Sequence, residues 1–201
     1  IITKSLTGSC KTIGKIVMRY EAALFEVDRL LQDAERQYLN SFRTACEIKL
    51  TYFAPFFQSS EIEKVGHNLK YDIKVLQQYG MKVQAPLFDT MIAHYLINPD
   101  MRHNIGVLAE NYLGYQPQTI SELIGKKVPN QGSMRNVPLD KQTEYAVEDA
   151  DVTCQLKKHF VTGMASKEVI DLFNKIELPL VKVLADMESA GISIDVDYLN
   201  E

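Results

Sequence analysis

Cysteine is scarce in this 201-residue chain. Cys10, Cys46 and Cys154 are the whole supply, and none stands in a C-x-x-C pair. An odd, unclustered set argues against a disulfide framework and against a structural zinc site, and it fits a reducing cytoplasm. No apolar run approaches the ~20 residues that a membrane span needs, so no membrane partner is expected. Residues 1–10 lack the basic-then-apolar order of a secretory leader. Positive charge is not in surplus either: 22 Lys and Arg stand against 26 Asp and Glu, a net charge of −4. Proteins that hold nucleic acid by phosphate neutralisation alone are usually basic. Composition thus speaks against a simple DNA-binding module, but not against an enzyme that meets phosphate through cations held by carboxylates. Internal repeats and low-complexity tracts are missing as well. What is there, 46% hydrophobic and 24% charged residues, is the balance of a globular protein long enough to bury its own core.

The chain changes character along its length. Residues 1–6 and 12–18 are predicted as short strands around the turn signal Thr7-Gly8-Ser9. Over residues 20–45, Tyr20, Leu24, Val27, Leu31, Ala34, Tyr38, Phe42 and Ala45 recur at steps of three and four, one face of a long amphipathic helix. That face either packs on its own domain or makes a coiled-coil seam, for which Ala34 and the aromatics are poorly suited. Ile48, Leu50 and Tyr52 alternate as a strand would. From residue 62 the pattern is α/β. A strand over 62–66 leads to a helix with Asn68 as N-cap and Gly80 beyond its end. A strand over 83–88 leads to a helix over 91–97, opened by Asp89 and Thr90. Helices follow over 105–113, closed by Gly114, and from Thr119 to Gly125, where Thr119 and Glu122 have capping-box spacing. After a polar loop over 126–138, a long helix covers 139–160. A last helix covers 170–189, with Pro179 expected to kink or break it. Residues 192–195 read as the start of a strand.

Two places combine acids with strand-to-helix geometry. Asn68 and Asp72 are four apart, as are Tyr145 and Asp149, so each pair shares a helix face. An Asp and a Tyr aimed at one point suit metal-assisted hydrolysis, in which the carboxylate holds a hard cation and the phenol orients water. Each pair also has a plain reading as a solvated helix face.

The segments VGHNLKYDIKVL, LFDTMIAHYLINPDMRHN, LAENYLG and YAVEDADVTCQL, in that order and with ELIGKK and VPLDK between them, resemble the 3′–5′ exonuclease domain of bacterial family A DNA polymerases. The tail IELPLVKVLADMESAGISID resembles the start of that family's polymerase domain. The likeness runs from about Phe56 to the C-terminus. It implies an α/β, RNase H-like domain, a mixed sheet flanked by helices, and a four-acid site of the subtype with a tyrosine in its third motif. By that resemblance Asp72 and Asp149 bind metal, two Mg²⁺ or Mn²⁺ ions in an intact site, and Tyr145 orients the attacking water. Asn68 and Tyr71 match positions near the 3′-terminal nucleotides of single-stranded DNA. His67 stands where the family usually has Gln, and Arg102 matches an arginine beside the site or serves as a loop anchor. Asp151 points off the metal face and Asp89 reads as an N-cap. The remaining partner implied is the rest of a polymerase chain.

The family's first motif, Asp-x-Glu-Thr on the first strand, is not found before Ile62. Asp33-Ala34-Glu35 has the spacing, but Ala34 lies in the apolar helical stripe, and residues 1–14 contain no acid. The expected organisation is an atypical part over 1–53, an exonuclease core over 54–165 and the start of a polymerase domain over 166–201. The abrupt change near residue 53 is the mark of a truncation, a fusion or a shifted frame, and the regular helix of 20–45 tells against the last. Three functions are expected to compete: a DNA exonuclease, a scaffold domain that keeps the fold without the chemistry, and an exonuclease acting on RNA, against which the polymerase-like tail speaks.

Overall fold

A computed structural model describes residues 53–125, 132–195 and 198. The strands and helix expected before residue 53, and the first half of the loop after Gly125, lie outside the described residues. Two short parallel strands form the sheet. Strand β1 (Lys64–Gly66) pairs with β2 (Leu87–Asp89), Lys64 opposite Leu87 and Gly66 opposite Asp89. A parallel pair needs a crossover, and helix α2 (Leu69–Gln78) supplies it; a single helical turn, α1 (Ala54–Gln58), precedes β1. The chain is α/β and mostly helical. The mixed sheet expected from the resemblance is reduced, among the described residues, to this one parallel pair.

The second strand is shorter and later than its apolar pattern predicts. Residues 83–86 are not strand: Pro86 offers no N–H to a ladder, though its carbonyl accepts the Lys64 N–H at 3.0 Å just ahead of β2. The next helices follow their sequence signals closely: α3 (Thr90–Ile97), α4 (Ile105–Leu113) and α5 (Ile120–Ile124). The Asn104 side chain accepts the Val107 N–H at 2.9 Å to start α4, and Gly114, at φ 62°, stops it. The Glu122 carboxylate accepts the Thr119 N–H at α5.

Helix α6 (Leu139–Ser166) is the spine of the domain. It runs six residues past the expected end at Phe160. Its Gly163 looks like a stop signal but serves packing instead: a Cβ there would lie 2.9 Å from Ile97 Cδ1 on α3. Val152, Leu156, Phe160 and Met164 line its inner face and pack with Phe88, Ala93, Leu108 and Phe173 into the main core. Lys157 pairs with Glu63 just ahead of β1 and lies 5.0 Å over the Phe88 ring, so α6 is tied to both strands by charge as well as packing.

The last helical stretch opens as α7 (Ile170–Leu172), widens into a π turn over Phe173–Glu177, and continues as α8 (Leu178–Ala190). Pro179 cannot donate to a carbonyl one turn back, and the ladder absorbs the missing bond by widening rather than by breaking. Val181 and Ala185 of α8 pack on Leu69 and Ile73 of α2. Gly191 ends α8 as expected, but residues 192–195 form no strand.

Candidate active site

The site is built where β1 ends and α2 begins, against the first half of α6. Gly66 closes β1 because nothing larger fits: a Cβ there would sit 2.3 Å from Leu69 Cδ2 and 3.6 Å from Asp72 Oδ2. Asn68 then takes the left-handed conformation, φ 69° and ψ 51°, to turn the chain into α2. This corrects the expected role of Asn68 as a side-chain cap, since its side chain makes no cap bond. The cap comes from across the sheet. The buried Asp89 carboxylate accepts the N–H groups of Asn68 (3.2 Å) and Leu69 (2.7 Å) at α2, and also those of Met91 (2.9 Å) and Ile92 (3.2 Å) at α3.

His67, Asp72 and Asp149 line one cavity of about 190 Å³, together with Gly66, Thr153 and Cys154. Asp72 and Asp149 stand 77 positions apart in sequence, so the fold alone brings them to one cavity. Burial pushes the Asp72 carboxyl up to about 7, and the charge of Asp89 adds to the push. Burial likewise lifts Asp149 to about 6; the hydrogen bond from Tyr145 pulls it down, and Glu148 next door raises it. Both carboxylates are therefore costly to ionise where they stand, as expected of acids held in place for a cation.

His67 is fixed on two sides. Its Nδ1 lies 3.0 Å from Thr90 Oγ1, and it bonds the backbone of His103. Burial pushes its pKa down. Tyr71, on α2, is 64% exposed, so its ring is free to meet a base. Asn68, Tyr71, Tyr145 and Arg102 are not part of the cavity wall. Arg102 lies exposed on the connection from α3 to α4, next to His103. Asp151 accepts from Gln155 within α6.

Three features escape sequence reading. The first is the reach of Asp89 to a second helix. The second is Glu148, whose carboxylate accepts the Gln118 N–H at 2.7 Å and the Tyr115 hydroxyl, pinning the connection ahead of α5 beside the site. The third is a buried pair, His94 Nδ1 to His103 Nδ1 at 2.7 Å, with His94 Nε2 3.1 Å from the Tyr112 hydroxyl. The only available signal is the spacing Asp89-Thr90 before a helix, and it speaks for one helix, not two.

The donor set fits a hard cation. Two carboxylates offer oxygen ligands, and Mg²⁺ takes only one or two from a protein, filling the rest with water and substrate phosphate. Among the described residues, no group of three or more His, Cys, Asp or Glu side chains could hold a metal.

An α/β core with an Asp on the helix after β1 and a Tyr–Asp pair on a later long helix is the arrangement that the resemblance to the exonuclease domains implied. The family of 3′–5′ exonucleases found in A-type DNA polymerases matches residues 20–164, and the chain belongs to that family. The match opens 36 positions before Phe56, so residues 20–53 lie inside it although they carry none of the motifs. The chain is 38% identical over 159 residues to a DNA polymerase I of Chloroflexus aurantiacus, 78% of the chain and 17% of that protein. It is 36% identical over 135 residues to a DNA polymerase I of Borreliella burgdorferi, 67% of the chain and 14% of that protein. With a DNA polymerase I of Rhizobium leguminosarum it shares 33% over 144 residues, 71% of the chain and 14% of that protein. The chain therefore spans about a sixth of the length of these curated relatives. Among the described residues no helix is long and apolar enough to cross a membrane.

Proposed function

We propose that this chain is the RNase H-like 3′–5′ exonuclease part of a longer cytoplasmic DNA polymerase, and that its cleft hydrolyses the 3′-terminal phosphodiester of single-stranded DNA during replication or repair. The observation that supports the reading is that Asp72, Asp149 and His67 line one cavity. Asp72 and Asp149 would hold Mg²⁺ or Mn²⁺. Such ions, two in a complete site, supply charge neutralisation on the phosphate and an activated water. Tyr145, bonded to Asp149, would orient that water through its phenol oxygen. Tyr71 offers an exposed ring for the terminal base, and stacking on an aromatic is tolerant of sequence. Asn68, turned out of its capping role, would face the sugar and phosphate of the last nucleotides, and His67, held by Thr90 and the His103 backbone, would line the floor beneath them. Arg102 would contribute charge at the rim.

The second reading, a scaffold that has lost the chemistry, is favoured by one observation: no Asp-x-Glu-Thr precedes Ile62. Two divalent ions bring four positive charges, and Asp72 with Asp149 returns only two negative ones. Turnover by this chain is therefore expected to be slow. The test is release of mononucleotides from labelled single-stranded DNA with Mn²⁺, for this chain and for Asp149→Ala. Release that Asp149→Ala abolishes supports the exonuclease; equal background in both supports the scaffold.

A further inference from the structure

The carboxylate of Asp89 is 1% exposed, and it serves two helices at once. Its two oxygens divide the work unequally. Oδ1 takes the N–H groups of Asn68, Met91 and Ile92; Oδ2 takes that of Leu69 alone, at the shortest distance of the four, 2.7 Å. Asn68 stands at φ 69°, the left-handed conformation, which asparagine reaches more readily than most residues with a side chain but which still bends the chain sharply at the start of α2. Support comes from Asp89, which ties down the amide of Asn68 and the next one along. One turn into α2, the same segment presents Tyr71 outward and Asp72 to the cavity.

We propose that Asp89 is a positioning residue: by holding the Asn68 and Leu69 amides from the neighbouring strand, it locks the start of α2 so that Asn68, Tyr71 and Asp72 meet the DNA end together. This deepens the exonuclease reading and rests on it. The two-oxygen division makes the idea specific. In Asp89→Asn an amide NH₂ replaces one oxygen. With the retained oxygen in the Oδ1 place, the α3 cap survives while the Leu69 N–H faces a donor. The lesion then falls on α2 and spares α3.

The experiment uses the full chain and three proteins: wild type, Asp89→Asn, and Leu108→Ala as a control that empties part of the core in α4 away from the cleft. Two readings are taken on each, affinity for a short 5′-fluorescein-labelled oligothymidylate by anisotropy and amide hydrogen exchange. Asp89→Asn is expected to weaken oligonucleotide binding by about tenfold or more. Leu69 exchange should accelerate while Met91 and Ile92 keep their protection. Leu108→Ala is expected to lower thermal stability and leave affinity unchanged at temperatures below its unfolding. Unchanged affinity in Asp89→Asn overturns the proposal, and so does uniform acceleration at all four amides. If the wild type itself does not bind the oligonucleotide, the exonuclease reading fails, and the exchange pattern alone decides on Asp89. Should Asp89→Asn not fold, the double variant Asn68→Gly, Asp89→Asn is used, since glycine takes the left-handed turn unaided. A folded double variant whose Leu69 amide exchanges fast while Met91 and Ile92 stay protected supports the role; one with Leu69 protected, or one that stays unfolded, overturns it.

Discussion

Gly66, His94 and the cleft acids show how much a single side chain decides in this domain. At Gly66 a methyl group would start 2.3 Å from Leu69 Cδ2, and that atom belongs to the buried residue that opens α2. Gly66→Ala is expected to cost about 1–3 kcal/mol, the usual range for overpacking, read as a lower urea midpoint, and to weaken oligonucleotide binding through the shift of α2. His94 is fully buried, and burial, with His103 and His67 nearby, holds its pKa down to about 4 from 6.5. A histidine depressed in the folded state is protonated first in the unfolded one. The His94 contribution is therefore unaffected above about pH 6.5 and falls as pH drops toward 4, by up to about 1.4 kcal/mol per pH unit. Asp72 and Asp149, whose carboxyls burial raises, gain stability over the same range and oppose it. Urea unfolding of both proteins at pH 7.5 and pH 5 isolates the histidine: His94→Asn should gain more stability on acidification than wild type does. At this scale the site was partly legible. Tyr145 and Asp149 could be paired because both lie on one helix with fixed geometry. The double duty of Asp89 could not, because the second helix it caps is reached only across the sheet.

Among the elements, α6 joins function to stability. Its first half carries Tyr145 and Asp149, and its second half carries Leu156 and Phe160, both fully buried. Leu156→Ala should destabilise by about 2–5 kcal/mol, measured by chemical denaturation, and Mn²⁺ affinity should survive at low temperature because Asp149 on the same helix lies two turns away. Gly163→Val is expected to fail more severely, since the side chain would drive α3 off α6 at Ile97. Helix ends marked by local chemistry, such as Gly114 after α4, were readable to the residue. The end of α6 was not, because Gly163 has two meanings, a stop or a close contact, and only the position of α3 chooses. Pro179 announced an irregularity correctly, but its form, a π turn over Phe173–Glu177, depends on α8 staying packed on α2.

For the whole molecule, the α/β alternation and the family were legible because the motifs, two at strand-to-helix junctions and two within helices, follow in fixed order. The extent of the sheet was not, since the described strands are three residues each and a short strand leaves little period-two signal. The central claim is that this fold brings Asp72 and Asp149 together to hold a divalent cation. Titration of Mn²⁺ into the chain, followed by the electron paramagnetic resonance of the free ion, tests it most directly. Wild type should bind Mn²⁺, more tightly with single-stranded DNA present. Asp72→Asn and Asp149→Asn should each weaken binding by about tenfold or more, the cost of a lost charged ligand. Mn²⁺ binding that is the same in all three proteins would contradict the account.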